Sequence, residues 1–540
     1  MHTQYSPLQK MELTKQRYID TQDIHLLVCM PQNMHCIYTK ASLQQQLHQS
    51  FEVITVPELA SKLTNQISGI VLLDEDLQLL STALMQMADA LNKGSDFITA
   101  NIAYGPDGQT ECFYNSRSFS EANYHCCLLS RALLEELLKQ NGEQTSVDHL
   151  IQLAARVAAA PKQLDQILFL SHREIQIDDL FYTSKKRALI LCHEFSMTGA
   201  PIVLVNAVPV LASLGFETVV LGPSHGPALA LFQNAKALVV TNQEQLNNTA
   251  LYGVALNCDF VLANTICEMD AVKQLDGAQI PVLWWLHDAY QCYPFLAPSI
   301  PAKFASNVCI CAVGSHATAA IHSVRPKFQI DQLIYGLPDY AQDTFDTYDL
   351  SYIGKKRLFI TVGSFEPRKG QDILCQAIRL LPADKLAQCA FLFIGKGNDL
   401  SLYAQVEDLV DCYPNHVFYR ESLTRDEIKS LMQQCFCVIC SSRDDPMPTF
   451  ITEGLIFGRP VIVSEYTGTA GLIQEGKNGF IYRENDPAQL SKQIEFLLDH
   501  PELAKQMSKD CRSLYEHQFT YQSFERTLKK LVQDLTHLTD

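Results

Sequence analysis

Two stretches of the chain open alike. Residues 185–192 read KKRALILC and residues 355–362 read KKRLFITV, a basic lead followed by an unbroken apolar run. Such runs suit parallel strands covered on both faces. A glycine-bearing loop follows each, then an amphipathic stretch: SMTGAPIVLVNAVPVLASLG after the first and SFEPRKGQDILCQAIRLLP after the second. Further strand candidates are ETVVLG, DFVLAN, PVLWWLH and VCICAVG, then FLFIG, HVFYR, CFCVICS and PVIVSE, with helical patterns between them. Alternation of this kind predicts an α/β fold with two doubly wound, Rossmann-like domains, at 185–335 and 355–540. The stretch IYGLPDYAQDTFDTYDLSYIGKKR keeps neither period and reads as the linker.

Residues 1–180 follow a different pattern. IHLLVCM, FEVITV and GIVLLDED read as strands, so a smaller, accessory α/β domain is expected there. Its last segment, SVDHLIQLAARVAAAPKQLDQILFL, reads as helical and leads into the paired domains.

Composition narrows the choices. With 540 residues, 47% hydrophobic and 19% charged, the chain has ordinary globular composition and length for several domains. A net charge of −17 argues against nucleic-acid binding, which needs Lys and Arg to neutralise phosphates. No apolar run approaches the roughly 20 residues of a membrane-spanning helix. MHTQYSPLQKMELTKQRYID has no apolar core of a secretory signal, so the cytoplasm is the expected location. The 18 cysteines are scattered through apolar stretches, as buried reduced thiols would be. Cys437 and Cys440 form a CxxC, but they lie in a strand pattern with no second pair, so the expectation is structural.

Five stretches carry chemistry. In RDDPMPTFITEG, a helix starts at Pro448, and Pro is tolerated there. The start of a helix favours an anion. Glu453, about one turn inside, can accept two hydrogen bonds from a ribose diol, and Asp445 in the loop can accept from sugar hydroxyls. Read locally, Asp444 and Asp445 are equally well turn residues, and Glu453 a solvated helix face. In VGSFEPRKGQDI, Arg368 and Lys369 stand between a strand and a helix, where two cations suit a diphosphate or simply an exposed basic loop. Gly199 in HEFSMTGAP allows a close backbone approach or makes a plain turn. His287 ends the apolar run LWWLHDAY, either facing a cleft or satisfied within the structure. Gly468, Thr469 and Ala470 in VSEYTGTAGLI offer amides on a tight turn, as in an anion nest.

Taken together, residues 185–540 resemble the GT-B glycosyltransferases, and among them the retaining glycosyltransferase family 4. The resemblance rests on the acidic pair Asp445 and Glu453 with seven residues between, on EPRKG, on FIGKG, and on GRPVIVSEYTGTAGLIQEGKNGFIY. It implies two Rossmann-like domains facing a cleft, with the final FTYQSFERTLKKLVQDL crossing back to the first. It also implies a nucleotide diphosphate sugar as donor and no metal or other cofactor. Catalytic roles would fall to His287, Asp445 and Lys369. The donor would be held by Gly199, Arg368, Lys369, Asp445, Met447, Pro448, Thr449, Glu453, Gly468 and Thr469. By this resemblance Glu453 takes the ribose, Asp445 the sugar, and Lys369 with Arg368 the diphosphate. Two positions depart from the family: Asp445 stands where Glu is usual, and Ser364 where an arginine often follows the strand-end glycine.

The segment around Asp74 and Asp76 is similar to the acidic stretch of family 2 GT-A transferases, whose acids ligate a metal. Fewer than seventy residues precede the strand that carries it, too few for the usual nucleotide-binding half, so a truncated module for acceptor binding or assembly, without a working metal site, is expected. The resemblances imply transfer of a sugar to a glycan or lipid-linked acceptor in bacterial surface polysaccharide synthesis. Peripheral attachment at the inner face of the membrane and oligomers through the N-terminal domain are further expectations. A non-catalytic GT-B scaffold and a GT-B nucleotide-sugar epimerase are the alternatives.

Overall fold

A computed structural model describes residues 20–21, 23–30, 36–105, 107–113, 124–141, 146–181, 185–397, 399–483 and 485–536. The segment screened above for a secretory signal lies almost wholly outside them. The chain divides into two compact units. The first holds 1–197 and 211–261, and the second holds 198–210 and 262–540.

In the first unit the strands are β1 (Leu26–Met30), β2 (Phe51–Thr55), β3 (Gly69–Leu73), β4 (Leu77–Leu79), β5 (Phe97–Tyr104), β6 (Thr110–Phe113), β7 (Cys126–Ser130), β8 (Pro161–Ser171), β9 (Lys186–Leu191), β10 (Phe216–Gly222) and β11 (Leu238–Thr241). A single sheet runs β2-β1-β3-β7-β5-β6-β11-β10-β9. The strands β9, β10 and β11 are parallel, as their continuous burial demands. The accessory strands join them through β6, which pairs antiparallel with β11. One expectation fails here. The segment 146–170 is helical only over Val147–Val157; beyond it Pro161–Ser171 is a strand lying parallel to β5. Pro161 cannot continue a helix, and the fully buried β5 offers a ladder whose packing overrides the helical pattern of QLDQILFL.

The strand β12 (Phe260–Asn264) carries the boundary between the units. In the second unit β13 (Val282–Leu286), β14 (Val308–Ala312) and β15 (Ile330–Gln332) pair in parallel. The strands β16 (Arg357–Val362), β17 (Cys389–Ile394), β18 (Val417–Arg420), β19 (Cys437–Cys440), β20 (Val461–Ser464) and β21 (Gly479–Tyr482) form a separate parallel sheet, ordered β18-β17-β16-β19-β20-β21. Taken in chain order this is 3-2-1-4-5-6, the doubly wound arrangement, whose crevice opens where the order reverses, between β16 and β19. The last helix, Tyr521–Thr536, lays Phe524 on Trp285 with ring centroids 5.6 Å apart, and a Cβ at Gly336 would come within 2.7 Å of it.

Fourteen of the 18 free cysteines are buried. Burial pushes the Cys440 thiol up to about 12 and that of Cys437 well above its usual value, so the CxxC packs as an apolar strand. Among the described residues, no helix is long and apolar enough to cross a membrane.

Candidate functional site

The loops that follow β16 and β19 flank the crevice of the six-stranded sheet. Glycine shapes both. Gly363 ends β16, and Gly370 has φ +63°, with room for nothing larger: a Cβ would sit 2.1 Å from the Ser441 carbonyl oxygen. That contact presses the Pro367–Lys369 turn against the segment after β19, and the Ser441 hydroxyl donates to the Lys369 carbonyl at 3.0 Å. Arg443 fixes the same two segments from outside. Its guanidinium forks onto Asp372 at 2.8 and 2.6 Å and donates to the Pro367 carbonyl at 2.8 Å.

Lys369 Nζ meets Asp445 Oδ2 at 2.7 Å, with the Asp445 side chain only 6% exposed. Burying a carboxylate this far requires such a partner. The Asp445 carbonyl accepts from the Gly468 N–H at 2.8 Å, and a Cβ at Gly468 would lie 1.6 Å from the Pro446 carbonyl oxygen, so only glycine fits. Arg368 pairs with Glu366 at 2.8 Å. Burial works against its charge, but Asp445, Glu366 and Asp444 outweigh burial and raise its pKa. The carboxyl of Glu366, opposed in turn by burial, is held low by Ser364, Arg368 and Lys369. Ser364, the residue in place of a common arginine, thus donates to Glu366.

The helix Thr449–Ile456 begins beside this pair, with Pro448 at its cap position and no side-chain cap. A Cβ on Gly199 would touch Thr449 Cγ2 at 3.6 Å, which brings that glycine to the helix start. Met447 reaches Gly314, where a Cβ would meet its Cε at 2.5 Å. The structure therefore gathers Arg368, Lys369, Asp445 and Gly468 in one place, with Thr449 at the start of the helix that follows Asp445 in the chain and Gly199 close to Thr449. Glu453, with its side chain 2% exposed, is ion-paired with Arg425 at 2.5 Å. His287 ends β13 half-buried, its ring 4.2 Å from that of Trp285. Asp288 beside it accepts from the Ile266 N–H at 2.7 Å and the His287 N–H at 3.3 Å; burial pushes its carboxyl up to about 7 against those bonds.

The amide nest expected at Gly468–Ala470 is not three free donors. Gly468 donates to Asp445, and the Ala470 N–H to the Thr467 carbonyl at 2.9 Å, closing the turn on itself. Sequence reasoning also missed partners. Asp444, read as a turn residue, accepts from His316 Nε2 at 2.9 Å and from the Gln291 N–H at 3.1 Å, and against its burial these keep its carboxyl low. Arg425 could have been found: TRDE opens a helix with a capping box, Thr424 to Glu427, which puts Arg425 in the first turn.

The acids of the accessory segment are engaged elsewhere. Asp76 accepts from the N–H groups of Ile37, Tyr38 and Thr39 and from the Thr39 hydroxyl, all at 2.8–3.2 Å. Asp74 faces His125 Nδ1 at 3.0 Å. Asp179 holds His125 Nε2 at 3.2 Å and a forked Arg173 at 2.6 and 2.5 Å, and Arg173 also meets Glu75 at 2.7 Å. Burial opposes the His125 charge, yet Asp179 and Asp74 lift it to about 10. Likewise, against burial, Arg173 and His125 bring Asp179 to about 2. Among the described residues no three acidic, His or Cys side chains are grouped as a metal site.

Comparison with known proteins matches residues 349–513 to the family described as Glycosyl transferases group 1, and residues 184–325 to Glycosyl-transferase family 4. A relative named an uncharacterized glycosyltransferase of Methanocaldococcus jannaschii is 28% identical over 178 residues, 32% of this chain and 47% of its own. A D-rhamnosyltransferase of Pseudomonas aeruginosa is 26% identical over 168 residues, 30% of this chain and 42% of its own. The chain spans about half the length of the curated relatives it matches. Among solved structures, Anabaena HepE in complex with UDP-glucose aligns with a TM-score of 0.55 at 17% identity, over 64% of this chain and 99% of that one. The sucrose-phosphate synthase of Thermosynechococcus elongatus aligns at 0.53 and 15% identity, over 66% of this chain and all of that one. With the two family matches taking in more than half of the chain, and with these structures sharing its fold, the protein belongs to the GT-B glycosyltransferases, family 4-like.

Proposed function

We propose that the chain transfers a sugar from a nucleotide diphosphate sugar to a glycan or lipid-linked acceptor, with retention and without a metal, in the synthesis of a bacterial surface polysaccharide. The observation that carries this reading is the Lys369–Asp445 pair, which stands on the two strand ends flanking the crevice of the doubly wound sheet. Breaking a glycosyl phosphate bond builds charge on the departing diphosphate. Lys369, Arg368 and the start of the helix Thr449–Ile456 stabilise that charge in place of a metal. Glu453, oriented by Arg425, accepts from the ribose hydroxyls, and Asp445 from the sugar. A carboxylate bound to an ammonium at 2.7 Å is a poor nucleophile, which favours front-face substitution over a covalent glycosyl intermediate on Asp445. The relatives named for sugar transfer and the structures solved with UDP or UDP-glucose support a nucleotide sugar donor.

A binding scaffold is the second reading, favoured by Ser364 bonded to Glu366 where a second phosphate cation is common in the family. A thermal-shift panel of UDP, GDP, dTDP and CMP sugars tests donor binding. At about 100 times Kd one of them should stabilise the fold by about 2.7 kcal/mol, and Glu453→Ala should abolish the shift. If no nucleotide raises the melting temperature, transfer and donor binding both fall. If one binds but is neither hydrolysed nor transferred, the scaffold reading stands.

A further inference from the structure

Within the first unit, a concavity opens at the carboxyl ends of β10 and β11. Open α/β sheets present ligand-binding loops at these ends. The strand β6 runs antiparallel beside β11, so Glu111 stands opposite Thr241. The Gly108–Gln109 turn forms one wall, and the loops Pro223–His225 and Asn242–Glu244 form the others. They enclose about 420 Å³. That falls within the range of about 300–1,000 Å³ usual for small-ligand sites.

The walls are held by their own polar contacts. Glu111 Oε2 accepts from the Thr241 hydroxyl at 3.0 Å and pairs with His225 Nε2. The Asn242 amide donates to Thr110 Oγ1 at 2.9 Å, and Asn242 Oδ1 accepts from the Glu244 N–H at 2.8 Å. Around the mouth Gln109, Ser224, Gln243 and Glu244 are exposed. Among the described residues the lining thus offers carboxylates, amides, hydroxyls and an imidazole, and no Lys or Arg. Two carboxylates with a single imidazole repel phosphates, nucleotides and anionic headgroups. The same groups, each able to accept or donate side by side, match the adjacent hydroxyls of a sugar ring. His225, its ring at 4.7 Å and 85° to that of Phe113, adds an aromatic side chain to the lining, a type that packs against the C–H side of a sugar ring.

We infer that this pocket binds a neutral sugar unit of a glycan. None of its residues belongs to the set around Lys369, and the inference does not depend on transfer, since a scaffold would use the pocket equally. Saturation-transfer NMR on the full chain, with maltotriose, cellotriose and chitotriose as probes and inorganic phosphate as the charged control, tests it. At least one trisaccharide should bind, phosphate should not displace it, and saturating UDP should leave it in place. Removing two exposed hydrogen-bonding groups in Gln243→Ala/Glu244→Ala should weaken binding about tenfold or more. Ser224→Trp, which fills the mouth, should abolish it while the melting temperature stays unchanged. The inference is overturned if no trisaccharide binds, if UDP displaces it, or if both variants bind as the parent does.

Discussion

Around Asp179 in the first unit and around Asp445 in the second, buried carboxylates meet cations at hydrogen-bond distance, yet the two places are built differently. In the accessory segment the three central charges each meet more than one partner: His125 bridges Asp74 and Asp179, Arg173 bridges Asp179 and Glu75, and the Gln176 N–H adds a further bond to Asp179 at 2.7 Å. These groups hold β7, β8 and the helix Ile177–Leu180 together. Around Asp445 one lysine on a turn lies within hydrogen-bond distance, with the Ser442 hydroxyl at 3.4 Å and Arg368 nearby, at the open end of a sheet, with glycines keeping the backbone close on both sides. A closed network is a structural fastening, whereas under the function proposed above an ammonium on a strand-end loop exchanges its carboxylate for a ligand. Burial and pairing alone do not separate function from architecture; under the proposed function it is the place in the sheet that does.

Three experiments break or sharpen this contrast. The largest effect is expected from Asp179→Ala. Removing Asp179 takes from His125 and Arg173 one of their two acidic partners each and leaves both charges under-compensated, a loss approaching that of a broken buried pair, about 3–5 kcal/mol. Urea unfolding should register this, while donor binding by the folded fraction is kept. A donor-binding loss with unchanged stability would reverse the assignment. Next, Lys369→Ala strands the buried Asp445 and so should lower the melting temperature as well, and in the protein that remains folded it should lower kcat for sugar transfer about 10²–10³-fold, the usual cost of losing one group that stabilises developing negative charge. A variant with full turnover would remove Lys369 from the chemistry. The smallest effect is a pH slope. The His125 pKa rises from its ordinary 6.5 to about 10 on folding, so its contribution is complete below 6.5 and is lost as pH rises toward 10. Asp179, lowered from 3.8 to about 2, contributes above 3.8 and loses that contribution as pH falls toward 2. Unfolding free energy measured from pH 6 to 9 should therefore decline, and His125→Gln should flatten the decline.

The later half of the fold was legible because its strands are buried on both faces. CFCVICS and FLFIG carry that signature in every residue, and β19 and β17 are buried throughout. Less was legible where pairing decides. The strand β11 has four residues, and β8 takes a helical pattern and lays it along β5. In the site, Lys369 and Asp445 could be named from types and spacing, since loops at strand ends are where ligands meet α/β sheets. Their neighbours could not. Asp444 and His316 lie 128 positions apart, and nothing local in either stretch points to the other. Glu453 was read as a ribose acceptor without Arg425, which lies 28 positions earlier on another helix.

The antiparallel seam between β6 and β11 has a practical consequence. A truncated protein starting near residue 185 would keep the two recognised family segments but strip β11 of its neighbour, baring a row of unpaired amides and carbonyls on Leu238–Thr241. Such an edge recruits other chains, so the shortened protein is expected to aggregate. The leading 180 residues are accordingly not a detachable appendage, and expression of the remainder alone calls for a charged residue or a proline on that strand.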